Sequence, residues 1–342
     1  MNFTTKLKTY LVSHLRFNKT DNQWHTQLFY ALSLSLPFVI GIYFQQLQVA
    51  ILVVVGMLTI FLKSMKASLP EKMRQVFLSG VLLSAFFGLG VQLGPYKGVL
   101  FLIIPPVIYL IYKLAYWARV KSPGQFFIFI AFMVGTYSRI DETNYQLILI
   151  SIGYILTGMF FAMLGSYIYH YLACSKMTEK TISEPINWQY VGALAIIVPI
   201  AFLAGDGIAE IRPYWAPISA FSVLEGMEFS HISQRLMNRL TGTFIGLLIS
   251  PAILELMTSP IMAMIIFSLA VFFLVFFLFR NYLLTMVVAT PVTLIICSAN
   301  QTVIGPLTQE LMQERLFLVI IGGFIGWLGA YLFSYKKWKW AF

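Results

Sequence analysis

The chain has 342 residues and a formal net charge of +10, and its composition excludes an ordinary soluble domain. Hydrophobic residues make up 59% of it and charged residues only 11%, whereas soluble domains are about a quarter charged. The mean hydropathy of +0.81 predicts an integral membrane protein of the all-α class. Excess positive charge in such a protein is typical of cytoplasmic loops, so it predicts no nucleic-acid partner.

Twelve apolar runs follow one another along the chain, and each predicts a transmembrane helix. They lie at 28–44, 49–62, 76–93, 99–118, 125–138, 147–173, 189–205, 214–225, 240–257, 261–279, 282–298 and 316–335. Several are shorter than the ~20 residues that a free span needs. Only four residues separate the first two runs, so a single bent re-entrant element is the alternative there.

Polar segments divide the chain into five parts. These are a cytoplasmic N-terminal segment (1–27), a first six-helix repeat (28–173), a cytoplasmic linker (174–187), a second six-helix repeat (188–335) and a basic tail (336–342). Six spans return the chain to the side on which it started. The two halves are therefore predicted to be parallel repeats related by an axis along the membrane normal. Chance similarity among apolar helices is the alternative.

The distribution of positive charge predicts the orientation. With twelve spans, loops on the N-terminal side carry 19 of the 23 Lys and Arg residues. The opposite loops carry the other 4, which are Lys97, Arg139, Arg212 and Arg315. The positive-inside rule therefore predicts that both termini are cytoplasmic and that the protein crosses the membrane many times.

The stretch 212–250 contains most of the unusual polar residues. A helix through its middle would align five ionisable side chains in one broad stripe, namely Glu225, Glu228, His231, Arg235 and Arg239. One interpretation is a cytoplasmic vestibule in which the arginines collect anions and a carboxylate or the histidine carries a proton. The alternative is a solvated helix in a cytoplasmic loop.

Small residues recur at helix-packing spacing in the second half. Gly242 and Gly246 are four residues apart, with Thr243 beside them, and Gly322 and Gly326 have the same separation. Such spacing lets helix backbones approach closely. Plain packing is one interpretation, and helices that slide or rock during transport are the other.

Signatures of catalysis are absent from the sequence. There is no Walker A loop and no HExxH motif, and the four histidines are scattered. The two cysteines have no partner at metal-ligand spacing. We therefore expect neither an enzyme nor a bound metal or cofactor.

The segment from Tyr214 to Gly246 resembles the core motif of the fusaric acid resistance and aromatic acid exporter family. In that family a Trp-Ala pair opens one helix, a polar stretch with arginines follows, and Arg-x-x-Gly-Thr-x-x-Gly opens the next helix. Here Trp215-Ala216 and Arg239-Leu-Thr-Gly242-Thr243-Phe-Ile-Gly246 match these elements. The run Glu314-Arg315 before Gly322-Gly323 resembles a second helix start of the family. Plant malate channels are similar to the same family.

The resemblance implies export of organic, often aromatic, acids across a bacterial inner membrane, driven by the proton gradient. Roles follow for eight residues: Arg235, Arg239, Trp215, Tyr214 and Phe221 would bind substrate, and Glu225, Glu228 and His231 would couple transport to protons. A passive anion channel and a non-transporting membrane subunit of an efflux complex are the alternatives.

The expected partners are a small organic anion, the lipid bilayer, a second copy of the chain and a periplasmic adaptor. The sequence departs from the family pattern in two places. Glu225-Gly226 stands where the family usually has Gln-Pro, which bears on the substrate. The linker at 174–187 stands where longer members of the family have a large cytoplasmic domain, which bears on the adaptor.

Overall fold

The structure, a computed structural model, describes residues 17, 24–63, 67–120, 122–138, 140, 142–172, 185–209, 212–225, 229–278, 280–298 and 306–335. All regular secondary structure in these ranges is helical, which confirms the all-α class. The helices are α1 (Trp24–Tyr43), α2 (Leu47–Met57), α3 (Leu69–Leu93), α4 (Lys97–Trp117), α5 (Gly124–Thr136), α6 (Tyr145–Leu172), α7 (Trp188–Asp206), α8 (Trp215–Leu224), α9 (Phe229–Glu255), α10 (Pro260–Leu278), α11 (Tyr282–Ser298) and α12 (Pro306–Tyr335). A 3₁₀ turn, Leu58–Phe61, extends α2.

Within the described ranges, eight helices are long and apolar enough to cross a membrane. They are α1, α3, α4, α6, α7, α9, α10 and α12. The chain is therefore a multi-pass membrane protein. The other four helices are shorter. At 1.5 Å per residue the ten residues of α8 span only ~15 Å, about half of a bilayer core.

Each of the twelve predicted runs overlaps one of these helices, but several helices begin earlier than predicted. Helix α9 begins at Phe229 rather than at 240, and α12 begins at Pro306 rather than at 316. The apolar pattern misses the polar first turns of these two helices. The backbone continues as a helix through Arg235, Arg239 and Arg315 because protein groups surround these side chains.

The first two runs form two separate helices rather than one bent element. Helix α1 ends at Tyr43 and α2 begins at Leu47. The connection is a sharp reversal in which Gln45 adopts a φ of 57° and the amide of Gln46 donates to Gly41 O. The two helices pack against each other.

The same helix pairs pack in both halves of the chain. In the first half α2 packs on α6, α3 on α5 and α3 on α6. In the second half α8 packs on α12, α9 on α11 and α9 on α12. Between the halves α4 packs on α7, and α10 packs on α1. In both halves the second and fifth helices are the short ones.

Three of the predicted segments fall largely on residues outside the described ranges. Of the N-terminal segment the structure describes Phe17 and 24–27, and of the linker it describes 185–187. The basic tail at 336–342 lies wholly outside them.

Candidate functional site

The site is built around α8, a short helix whose ten residues are all buried. It lies against α7, α12 and α9, and it contacts α5 of the first half. Glycines on α12 allow the close approach, since a Cβ on Gly322 would lie 2.0 Å from the carbonyl oxygen of Ala216. Gly326 faces Ala220 one turn further on. The polar groups of so enclosed a helix can be satisfied only by neighbouring helices.

Arg239 of α9 is the central residue of the site, and only 7% of it is exposed. Its Nε donates to Ser219 Oγ at 2.8 Å, and one terminal nitrogen donates to Ser222 Oγ at 3.1 Å and Tyr282 Oη at 3.3 Å. The same nitrogen lies 3.5 Å from the sulfur of Met286. In the described part of the chain all partners of this guanidinium are thus neutral.

Arg235 lies one turn earlier on α9 and contacts the C-terminal end of α8. Its Nε donates to Ser222 O at 3.0 Å, and its guanidinium lies 4.4 Å from the centroid of the Tyr282 ring. The guanidinium also lies 3.5 Å from the Glu225 carboxylate. A cation at this position is favourable because the last carbonyl groups of a helix carry partial negative charge.

Glu225 directly follows α8, and its side chain is 13% exposed beside the guanidinium of Arg235. A mostly buried carboxylate that contacts an arginine can exchange that contact for a proton.

Arg315 of α12 is a third buried guanidinium, again 7% exposed. It lies 4.9 Å from the centroid of the Trp215 ring, and its Nε makes no hydrogen bond to any described residue. It is close enough to Arg239 for the two charges to repel. The sequence pattern predicted a loop here, so its burial inside α12 corrects that expectation.

The three arginines contact α8 at successive levels. Arg315 contacts Trp215 at the N-terminal end of α8. Arg239 contacts Ser219 and Ser222 further along it, and Arg235 contacts its C-terminal end. The ten residues of α8 make this series ~15 Å long. Three guanidinium groups are thus spaced along the length of α8.

The three predicted aromatic residues point in different directions. Trp215 is buried beneath Arg315, and Tyr214 packs 5.9 Å from the Tyr137 ring of the first half. Phe221 is fully buried against three rings of the first half, Tyr112, Phe126 and Phe129, at 5.0–6.4 Å. Phe221 therefore lies between the halves.

The predicted ionisable stripe is not one continuous helix face in the described residues. Glu225 belongs to the end of α8, and α9 begins four residues later at Phe229. His231 is exposed on α9, whereas Arg239 is buried. Glu228 lies outside the described residues.

The predicted packing residues of α9 lie against α11. A Cβ on Gly242 would lie 2.7 Å from Leu283 O, and one on Gly246 would lie 2.7 Å from Val287 O. Thr243 between them is buried. This contact positions Tyr282 beside Arg239 because Tyr282 begins α11.

Sequence reasoning missed Ser219, Ser222, Tyr282 and Arg315 as site residues. One signal was available for the serines: they are three residues apart on an otherwise apolar helix, which places two hydroxyl groups on one face. Nothing in the local sequence indicates that Tyr282, 43 positions after Arg239, reaches it.

Fold and site together define a multi-pass helical membrane protein with a buried cationic site. Residues 194–329, from within α7 to within α12, match the family model described as fusaric acid resistance protein-like. The resemblance noted from the sequence is thereby confirmed over these residues, and at the level of the family it is consistent with transport or efflux. Comparison with curated proteins gives no match, and neither does comparison with solved structures.

Proposed function

We propose that this protein is a secondary transporter of the bacterial inner membrane that exports organic, often aromatic, acids. One observation carries the proposal: the Arg239 guanidinium is buried and has only neutral partners among the described residues. A buried cation without a counter-charge is costly, and a bound anion offsets this cost. The family match at 194–329 supports efflux as the activity.

The substrate carboxylate would pass along α8 between the arginines. Helix α8 covers about half of a bilayer, so its ends lie at a depth where transporter sites are common. Serine hydroxyls and guanidinium groups along it bind carboxylates well. Trp215 and Tyr214 are buried at the start of this path and would contact a substrate ring as it passes.

The proposal includes two parallel six-helix repeats with both termini in the cytoplasm. The identical packing pairs in the two halves support the repeat, and so does the shared position of the short helices. The positive-inside count supports the orientation. A site between two such halves suits alternating access, in which one half moves against the other.

Coupling to the proton gradient is assigned to Glu225, with Glu228 and His231 as further candidates. Glu225 contacts Arg235, so substrate and carboxylate compete for one guanidinium. Transport rather than catalysis is proposed because the polar groups of the site are those of anion binding. Lipid contacts the exposed apolar side chains, and a second copy of the chain and a periplasmic adaptor are proposed partners.

The test is benzoate flux in proteoliposomes, with the pH gradient and the voltage imposed separately. Arg239→Gln removes the buried charge and keeps hydrogen-bonding groups. We expect flux to fall about 30-fold or more, because the substrate carboxylate would lose its charged partner in a buried site. Arg74→Gln removes a half-exposed guanidinium and serves as the matched control, with flux unchanged.

The other outcomes separate the alternatives. Flux that follows voltage without a pH gradient would make the protein a passive anion channel. Absence of flux, together with a stoichiometric partner that co-purifies, would make it a membrane subunit of a larger complex. Unchanged flux in well-inserted Arg239→Gln protein would remove this arginine from the mechanism.

A further inference from the structure

A second group of buried cations lies in the first half of the chain. Lys63 follows the turn after α2 and is 4% exposed, and Lys72 is in the first turn of α3 and is 5% exposed. Neither residue belongs to the region of the family match. Their place after the second helix of the half parallels that of Glu225 and Arg235 in the second half.

Lys63 lies among polar and aromatic groups of α1 and α6, and the charge of Lys72 acts on it. Lys63 Nζ donates to Ser166 Oγ of α6 and lies 5.4 Å from the centroid of the Tyr30 ring of α1. Both ammonium groups act electrostatically on the His170 imidazole, one turn from Ser166. Burial, together with the charge of Lys72, lowers the pKa of Lys63 to about 7. The two ammonium groups are therefore close enough to repel each other, and this repulsion favours loss of a proton from Lys63 unless an anion binds.

No negative side chain compensates these charges within the described residues. The acidic residue nearest in sequence, Glu71, pairs instead with Arg74 and Arg119 on the exposed surface. Neither lysine has a carboxylate within 4.0 Å there. Two uncompensated ammonium groups in a buried region are costly unless a counter-charge binds.

An unsatisfied amide adds an independent observation. Gln27 of α1 is 1% exposed, and neither its side-chain oxygen nor its side-chain nitrogen has a hydrogen-bond partner in the described part of the chain. It lies one turn before Tyr30, on the same helix face as the ring beside Lys63. Buried amide groups are normally paired, so an unpaired amide one turn from the ring that contacts Lys63 indicates a missing ligand.

We propose that α1, α3 and α6 form a second anion site, in which Lys63, Lys72 and Gln27 bind an oxyanion group. A carboxylate or phosphate group would accept from both ammonium groups and from the Gln27 amide, and would cancel their repulsion. Such a group is carried by a free organic acid and by the headgroup of an acidic phospholipid. The site does not depend on Arg239 or on transport.

The experiment measures anion binding by the purified full-length protein. Lys63→Met/Lys72→Met removes both charges with little change in volume, and Lys113→Met removes an exposed lysine as the matched control. One arm adds benzoate or inorganic phosphate to protein in an uncharged detergent. The other compares nanodiscs of phosphatidylglycerol with nanodiscs of phosphatidylcholine. All variants also carry Arg239→Gln, which removes anion binding by the candidate site of the second half. Thermal unfolding and direct binding are then recorded.

We expect saturable stabilisation in at least one arm, weakened about tenfold or more in the double variant and unchanged in the control. Stabilisation by free anions assigns the site to soluble acids, and stabilisation only by phosphatidylglycerol assigns it to lipid. Lys63→Arg keeps the charge and should retain binding. The double variant should unfold no earlier than the parent without anion, because the uncompensated charges are gone. Equal responses of parent and double variant in both arms, or none in either, would overturn the proposal.

Discussion

Glu225 and Arg235 form the one ion pair of the described site, and the pair is only partly exposed. Arg239 and Arg315, by contrast, have no carboxylate partner among the described residues. The glutamate therefore decides how many guanidinium groups face a substrate. Protonation of Glu225 would free Arg235 for an anion.

Binding of benzoate should consequently depend on pH. Protonation of Glu225 releases Arg235, so the anion should bind more tightly as the pH falls. Glu225→Gln fixes the neutral state, and we expect tight binding throughout about pH 6 to 8. Isothermal titration calorimetry over this range measures the effect. Exposed Glu255 supplies the control variant Glu255→Gln, and an equally steep pH profile in Glu225→Gln would exclude this role.

At the scale of secondary-structure elements, the short helices are enclosed by longer ones through glycine contacts. Gly322 packs against the backbone of α8. Gly56 of α2 packs against α6, where a Cβ added to Gly56 would lie 1.9 Å from the carbonyl oxygen of Ile155. The two contacts join corresponding helices of the halves, α8 with α12 and α2 with α6. In lipid, side-chain hydrophobicity contributes little to helix association. Close packing of the backbones stabilises these helix pairs instead.

Gly322→Ala should destabilise the protein, because its Cβ would overlap the Ala216 carbonyl group and force α8 and α12 apart. Overpacking of this kind costs about 1–3 kcal/mol. Gly153→Ala is the matched control on α6, since nothing lies within 4 Å of its Cβ. Thermal unfolding in detergent should show a lower midpoint only for Gly322→Ala. An equal midpoint in the two variants would show that the contact does not limit stability.

At the scale of the whole molecule, the halves contact each other through a polar group at one end and an aromatic cluster around Phe221. In the polar group Tyr137 Oη donates to Asp206 Oδ1 at 2.7 Å, and Lys97 lies 3.7 Å from the same carboxylate. Tyr137 directly follows α5, Asp206 ends α7 and Lys97 begins α4. In the proposed orientation they face the periplasm, so this contact would break whenever the site opens outwards.

Asp206→Asn should shift the protein towards the outward-open state. Cys297 reports this, because it is half-buried beside Tyr214, whose ring packs on Tyr137. Cys174 is first replaced by serine. Labelling of Cys297 by a membrane-impermeant maleimide should then be about two- to tenfold faster in Asp206→Asn, which is the factor expected from the loss of one hydrogen bond. Glu255→Gln serves again as the exposed control. An unchanged labelling rate would argue against movement at this contact.

The sequence by itself determined the membrane class, the approximate positions of the twelve helices and a stretch that contains most of the candidate site. A run of apolar residues is visible in the sequence itself, whichever segments it later packs against. The glycine and arginine spacing of α9 likewise appears in the local pattern, and it carried the family resemblance.

Only the tertiary structure decided which polar residues meet. Arg239 reaches Ser219, Ser222 and Tyr282 because α8, α9 and α11 pack together, and no local pattern encodes such contacts. The structure also places Arg315, for which the sequence predicted a loop, inside a buried part of α12. The hydropathy of a segment does not show whether neighbouring helices enclose a charged side chain in it. The buried lysines of the first half became visible for the same reason: their burial is a property of three helices together.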